Sequence, residues 1–453
     1  MRVSDDSTTW RPQGPLALEV VGGGALSGVV EIHGSKKCVP KLIVASLLTD
    51  EPCSIEGVPR IDDVDLARQL AGCFGRTAVE SEPRRIEISG QGEVPANPKA
   101  ALSPLAVASR VPIVSAGVQL ARFGEAWVPE LGGDEIGARP IDEHVRLLKC
   151  LGAEVGFEQG FFRATTRGLR GARIELPYPM VGVTEHALLG ASMIKGRTEV
   201  ANVAVDPEIL ELATVLNEMG ASVEVNVGQR RIAIDGVPEL GGFAHAALPD
   251  RIEAGSWACA ALATGGDILV RGATPTGMSP LLDAHRSVGG EAKLLSDGLR
   301  FTGSLCPRAT IRIDTGPYPA FESDWQSPML VALSQASRES IIHETVFEDR
   351  FAATQSLRRM GVDICLSSEC DWQSGPCLFG REGKAHLAVV RGPASLVATR
   401  AHMPDLRNGF ALTLAALSAS GRSLLTGAET LRRGYENLPA SLRSLGGTID
   451  VVE

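Results

Sequence analysis

Between Ala121 and His144 the chain reads ARFGEAWVPELGGDEIGARPIDEH, a stretch too polar for a core and too constrained for a linker. Gly132, Gly133 and Gly137 tolerate backbone angles that other residues resist, so the chain can bend sharply there and turn Asp134, Glu135 and Arg139 toward one ligand. Two carboxylates and a guanidinium aimed at one point equip an active-site loop. The competing reading is an ordinary surface turn.

Other charged residues stand at similar turning points. Gly34 and Ser35 precede Lys36 and Lys37, and a helix is predicted to begin near Lys36. Backbone N–H groups at a helix start, with two lysines beside them, form an anion site; the alternative is a solvated lysine pair. Arg110 enters an apolar helix and either snorkels outward or points into a pocket. Asp324 opens an Ala/Leu helix as an N-cap or as a catalytic carboxylate. Arg350 follows Phe347 in ETVFEDRF, Asp405 and Arg407 precede the last apolar helix, and Arg432 and Arg433 lie on a Gly-Tyr turn.

Composition narrows the classes of ligand. A net charge of −10 and a pI near 5.5 argue against nucleic acid or an acidic membrane as a partner, so an anionic ligand must be met by a local cluster of Arg and Lys. The start of the chain has no apolar leader, and no run of about eighteen apolar residues occurs, which gives a cytoplasmic expectation. Nine cysteines without a framework spacing read as reduced thiols. Cys370 and Cys377 bracket DWQSGP without a second pair, and no HExxH is present, so neither a metal nor another cofactor is expected.

The elements that must position these residues form a repeat. A helical run ends at a Gly and switches to an alternating strand six times, through Gly75, Gly152, Gly220, Gly289, Gly361 and Gly446. Between these points lie helices apolar almost all round, such as HALLGASMIKG and LTLAALSASG, which belong inside a body. A chain of 453 residues exceeds one ordinary core. Two closed α/β domains of three repeats each are therefore predicted, with a solenoid as the alternative. Lys36, Arg110, Arg139, Arg350, Arg407 and Arg433 occupy corresponding turns or helix starts, so their ends converge if the two domains face each other.

With GSKK before ASLL, SRVPI, LARFG followed by GGDEIGARPID, LPDRIE, PAFESDWQ, HETVFEDRF, PDLR and RRGYEN, the sequence resembles the enolpyruvyl transferases from about Leu16 to its C-terminus. Within them it is most similar to the branch acting on UDP-N-acetylglucosamine in peptidoglycan synthesis. The resemblance implies a two-domain inside-out α/β barrel of six βαβαββ units, three per domain, with ligands in the cleft between domains. Residues 1–34 and 249–453 would form a discontinuous first domain, and 35–248 the second, carrying the loop and the uridine segment.

The resemblance also assigns roles. Enolpyruvate would pass from phosphoenolpyruvate to a hydroxyl of a uridine nucleotide, with release of phosphate. Phosphoenolpyruvate is a compact multiple anion that calls for Arg forks and a Lys. Lys36, Lys37, Arg139, Arg350, Asp405, Arg407 and Arg433 match its positions. Arg110, Arg139, Pro140, Ile141, Asp142, Glu143, Tyr178, Val181, Gly182, Asp324 and Val346 match those of the uridine nucleotide. Asp324 matches the base, Asp134 the loop acid, and Lys36 and Arg433 complete the catalytic set.

Three departures bear on the chemistry. Most members carry Cys where Asp134 stands; a carboxyl must be kept protonated to serve as an acid, so protonation is expected to be coupled to binding of the anionic substrate. The same change implies insensitivity to fosfomycin, which alkylates the thiol. Lys37 replaces the usual Asn and cannot accept a hydrogen bond. Tyr178 and Met180 replace polar residues near the nucleotide. These keep two alternatives open: a paralogue acting on the ribose hydroxyl of UMP in nucleoside-antibiotic assembly, and a non-catalytic nucleotide-sugar sensor.

Overall fold

The computed structural model describes residues 14–304, 310–370 and 383–452. Its strands gather into six sheets, five of four strands and one of three. The sheet of Arg173–Glu175, Gly196–Ala201, Arg231–Gly236 and Ser222–Asn226 shows the plan: a parallel edge pair followed by two antiparallel pairings. The buried helix Val181–Ala191 links its first two strands, and the helix Pro207–Glu218 leads into the closing hairpin. This is the expected βαβαββ order, and the six glycines that end the outer helices all adopt positive φ, from 80° to 100°. A left-handed residue lets the next strand turn back on its helix, and only Gly takes that conformation without a Cβ clash.

Contact clustering divides the chain into two compact units. Unit 1 comprises Met1–Ile32, Asp134–Arg139 and Asp250–Glu453; unit 2 comprises His33–Gly133 and Pro140–Pro249. Asp134–Arg139 thus groups with unit 1, although the residues before and after it group with unit 2. Each unit holds three of the sheets.

In unit 1 the core is built on the helices Arg251–Thr264, Gln326–Ser334 and Leu406–Ser418, whose residues are buried on nearly every side. Trp257 meets Phe410 edge to face at 5.7 Å, and Phe410 stacks on Tyr435 at 4.8 Å. The chain closes the unit on itself: Ala17–Val21 lies between Arg422–Thr426 and Thr448–Val452. In unit 2, Val111–Phe123 crosses Val181–Ala191 glycine to glycine, and a Cβ on Gly117 would stand 2.7 Å from the Gly190 Cα. That close approach is why neither position admits a side chain.

Unit 2 also buries Arg76, whose guanidinium donates to the carbonyls of Asp50 at 2.8 Å and Glu51 at 2.7 Å. A fully buried cation held by backbone oxygens satisfies several carbonyls that sheet and helix leave over. Among the described residues no helix is long and apolar enough to cross a membrane.

Candidate active site

Three buried helices of unit 1 begin at an aspartate or just after one, and the three aspartates behave differently. Asp250 caps its helix by accepting from Ile252 and Glu253 N–H, both at 2.9 Å. Asp405 does the same for Arg407 and Asn408 N–H at 2.9 and 3.1 Å, while its second oxygen takes the Asn408 amide. Asp324 is not a cap. It sits in the 3-10 turn Ser323–Trp325, and neither that turn nor the helix after it carries a side-chain cap. Its Oδ1 accepts instead from Arg350 Nη2 at 2.7 Å and Arg407 Nε at 3.0 Å. A guanidinium adds a full positive charge and a planar fork of donors that a neutral amide lacks, so two of them hold the carboxylate away from the helix N–H groups.

Both arginines are buried, Arg350 at 1% exposure and Arg407 at 6%, so each needs its charge compensated. Burial pulls the Arg407 guanidinium down, but Asp324 and then Asp134 more than offset this and hold it above its ordinary value. Arg350 also donates from Nε to Ser323 Oγ at 3.1 Å, and the Ser323 hydroxyl is 2.9 Å from both oxygens of Glu344. Glu344 is fully buried and accepts from Val346 and Phe347 N–H at 2.9 and 3.1 Å. Burial raises its carboxyl above the usual range, with Arg350 working against that.

The loop segment joins this network within unit 1. Arg433 Nη1 donates to Asp134 Oδ1 at 2.7 Å, and Arg139 Nη1 to the Asp134 carbonyl at 3.1 Å. Glu348 accepts from Ala138 N–H at 2.7 Å, and a Cβ on Gly137 would fall 2.2 Å from that carboxylate. Asp349 N–H reaches the Ile136 carbonyl at 3.2 Å. Phe347 lies under two guanidiniums, 5.2 Å from Arg350 and 6.0 Å from Arg139. Arg139 itself has φ +44°, a conformation that costs a residue other than Gly roughly 1–3 kcal/mol and that functional sites retain.

Of the residues expected at a site, the structure therefore brings Asp134, Arg139, Asp324, Val346, Arg350, Asp405, Arg407 and Arg433 into unit 1. Lys36, Lys37, Arg110, Pro140, Ile141, Asp142, Glu143, Tyr178, Val181 and Gly182 belong to unit 2. The helix expected near Lys36 begins at Val39, with Pro40 in its first turn. Ser35 Oγ accepts from Lys37 N–H at 3.2 Å, which holds the lysines in a turn ahead of the helix. Lys36 is buried at 8% exposure. Arg110 occupies the N-cap position of Val111–Phe123, and burial lowers its guanidinium.

Asp142 and Glu143 open the helix Asp142–Cys150, favourably placed on its positive end. Gly182 faces His144 at 3.6 Å from a Cβ position, so the segments around 140–144 and 178–182 meet in unit 2. His144 and His186 stand Nδ1 to Nδ1 at 3.0 Å, and His186 Nε2 accepts from Gly117 N–H at 2.9 Å. The His186 Nδ1 proton must then go to His144, which fixes both tautomers. Burial, then Arg110, draws His144 down to about 3.

Ser323, Glu344 and Glu348 are not singled out by the sequence, though each lies in a motif that is. Their signal was an acid or hydroxyl beside the named arginine, which a linear reading cannot separate from a surface charge. A separate donor group, His343, Cys370 and His386, gathers at one end of the strand Glu339–His343. Cys377 lies outside the described residues.

The family model for EPSP synthase (3-phosphoshikimate 1-carboxyvinyltransferase) matches residues 20–442. The UDP-N-acetylglucosamine 1-carboxyvinyltransferase of Protochlamydia amoebophila is 37% identical over 445 residues, covering 96% of this chain and 94% of that protein. The enzyme of the same name from Chlamydia pneumoniae is 38% identical over 440 residues, covering 96% and 95%. The solved enolpyruvyl transferase NikO from Streptomyces tendae has the same fold, with a TM-score of 0.82 at 21% identity over 97% of this chain and 99% of that one. EPSP synthase from Acinetobacter baumannii follows at 0.73 and 16%, over 97% and 100%.

Proposed function

The chain belongs to the EPSP synthase family of 1-carboxyvinyl, or enolpyruvyl, transferases, and from that premise we propose that it transfers enolpyruvate from phosphoenolpyruvate to the 3-hydroxyl of UDP-N-acetylglucosamine in peptidoglycan precursor synthesis. The observation that carries the reading is the cluster in unit 1, where Arg350 and Arg407 hold the Asp324 carboxylate, Arg433 holds that of Asp134, and Arg139 reaches the Asp134 carbonyl. Such a concentration of guanidiniums suits a compact multiple anion.

In the reaction the acceptor oxygen bonds to C2 of the enolpyruvyl group as its proton leaves, and C3 gains a proton. Loss of phosphate from C2, with return of a proton from C3, then restores the double bond and gives an enol ether. Asp324 takes the hydroxyl proton and Asp134 serves C3. Both carboxylates are neutralised by arginines in the structure, so the incoming phosphate and carboxylate compete with them for the same guanidiniums. Substrate binding would draw Arg433 from Asp134 and leave that carboxyl beside an anion, where a proton is favoured. Asp405 fixes Arg407 by capping the helix start with its own carboxylate.

The test supplies phosphoenolpyruvate with UDP-N-acetylglucosamine, UMP or shikimate 3-phosphate in separate reactions and measures phosphate release. Release with UDP-N-acetylglucosamine and formation of its enolpyruvyl ether are expected. Release with UMP alone would replace the acceptor, as Lys37 would favour. Silence with all three would refute catalysis and leave a sensor.

A further inference from the structure

We propose that unit 1 carries a zinc site formed by His343, Cys370 and His386. One ring nitrogen from each histidine and the Cys370 Sγ all lie within 4.8 Å of one another. Sequence separates these residues widely; the sheet brings them together. His343 ends Glu339–His343, His386 immediately precedes Leu387–Arg391, and Leu387 pairs with both His343 and Ser367. Ser367 Oγ accepts from Glu369 N–H at 2.9 Å, turning the chain after Asp363–Ser367 so that Cys370 returns to the same sheet end.

The orientation of the two rings is the second observation. His343 Nδ1 lies 3.1 Å from Asp314 Oδ1, and His386 Nδ1 lies 2.6 Å from the Lys384 carbonyl. Each acceptor calls for a proton on Nδ1, so Nε2 is the unprotonated, metal-competent nitrogen of each neutral ring. A carboxylate or carbonyl behind a ligating imidazole is the usual outer partner of a metal-bound histidine, fixing its tautomer and raising its basicity. Cys370 is a half-buried cysteine in no disulfide, whereas both histidines are fully buried.

Two neutral imidazoles and one thiolate suit a borderline-soft divalent ion without redox chemistry, which is zinc. Zn–N bonds of about 2.0–2.1 Å and Zn–S bonds of about 2.3 Å put tetrahedral N and S donors roughly 3.3–3.6 Å apart. Closing from at most 4.8 Å therefore asks the widest donor separation to shrink by about 1.2–1.5 Å. Binding would release the thiol proton, and one coordination position remains for a further ligand. The site abuts Glu344, so the ion would clamp the start of the segment that carries Phe347, Glu348 and Arg350. The inference does not depend on which acceptor the enzyme uses.

The experiment strips the purified full chain with a chelator and titrates it with Co²⁺, then with Zn²⁺. The expected result is one ion per chain, a tetrahedral cobalt spectrum with a thiolate-to-cobalt charge-transfer band, and bleaching of both by zinc. Cys370→Ser should abolish the charge-transfer band with the fold intact by circular dichroism. Asp314→Asn should keep the spectrum and weaken binding by about 10–100-fold. Absence of a tetrahedral cobalt spectrum in the wild type, or a charge-transfer band surviving in Cys370→Ser, overturns the site. Unchanged affinity in Asp314→Asn overturns the orienting role of that carboxylate.

Discussion

Replacing Asp324 by Asn removes one negative charge from between two buried guanidiniums while keeping the size of the side chain and an oxygen that can accept. The two N–O contacts are 2.7 and 3.0 Å. At an effective dielectric of about 20 each is a gross Coulomb attraction of about 6 kcal/mol. Several kcal/mol per ion of desolvation oppose this, and removing one partner of a buried pair costs about 3–5 kcal/mol in practice. Arg350 and Arg407 have 1% and 7% side-chain exposure, so water cannot readily replace the lost charge.

Urea unfolding followed by tryptophan fluorescence should show this loss, because Trp257 and Trp325 are buried in the core of unit 1. The melting midpoint should fall by roughly 10 °C. Added phosphate should restore more stability to Asp324→Asn than to the wild type, since an anion supplies the missing countercharge. Turnover should fall by about 10²–10⁴ if the carboxylate takes the acceptor proton. A variant within about 1 kcal/mol of wild type, or one that phosphate stabilises no more than wild type, would refute the argument that Asp324 is the countercharge of this cluster.

Asp134→Asn should abolish the limb of the pH–rate profile that depends on that carboxyl; an unchanged profile refutes its role in proton delivery. Asp134→Cys should gain time-dependent inactivation by fosfomycin, with mass spectrometry locating one adduct, while the wild type resists. Gly137→Ala places a methyl against Glu348 and should lower kcat/KM by about tenfold or more through a misplaced loop; circular dichroism should show the fold unchanged. His144 supplies a stability test. The unfolded imidazole binds its proton below about 6.5, whereas the folded one stays neutral down to about 3. The stability linked to it is present above pH 6.5 and lost as pH falls toward 3. Between pH 6.5 and 4.5 the wild type should lose roughly 2–3 kcal/mol more than His144→Gln in urea unfolding.

The repeats were legible because they rest on local rules. A helix that must turn back into a strand needs a left-handed residue, so six glycines mark six units in any reading of the letters. Helices apolar on all sides can only be interior, and the three in unit 1 are. The arginines of the site were also visible, because each falls in a turn beside a distinctive motif. Their partners were not. Asp250, Asp324 and Asp405 have the same local setting at or near a helix start, and apart from the family resemblance their neighbours in the chain give no reason to treat them differently. Asp324 differs because Arg350 and Arg407 arrive from 26 and 83 residues away.

Similarly, Cys370 reads as half of an unsupported pair, since its neighbours His343 and His386 lie far off in the chain, at the end of one strand and just before another. The start of the helix after Lys37 shifted because Ser35 holds a turn that propensity does not reveal. The sequence by itself determined the repeat, the buried helices, the family and the inventory of charges, all of which follow from periodicity, backbone freedom and residue type. Only the tertiary structure decided which charges meet. Coulomb energy and desolvation depend on distance and burial through space, and neither is written in the order of the chain.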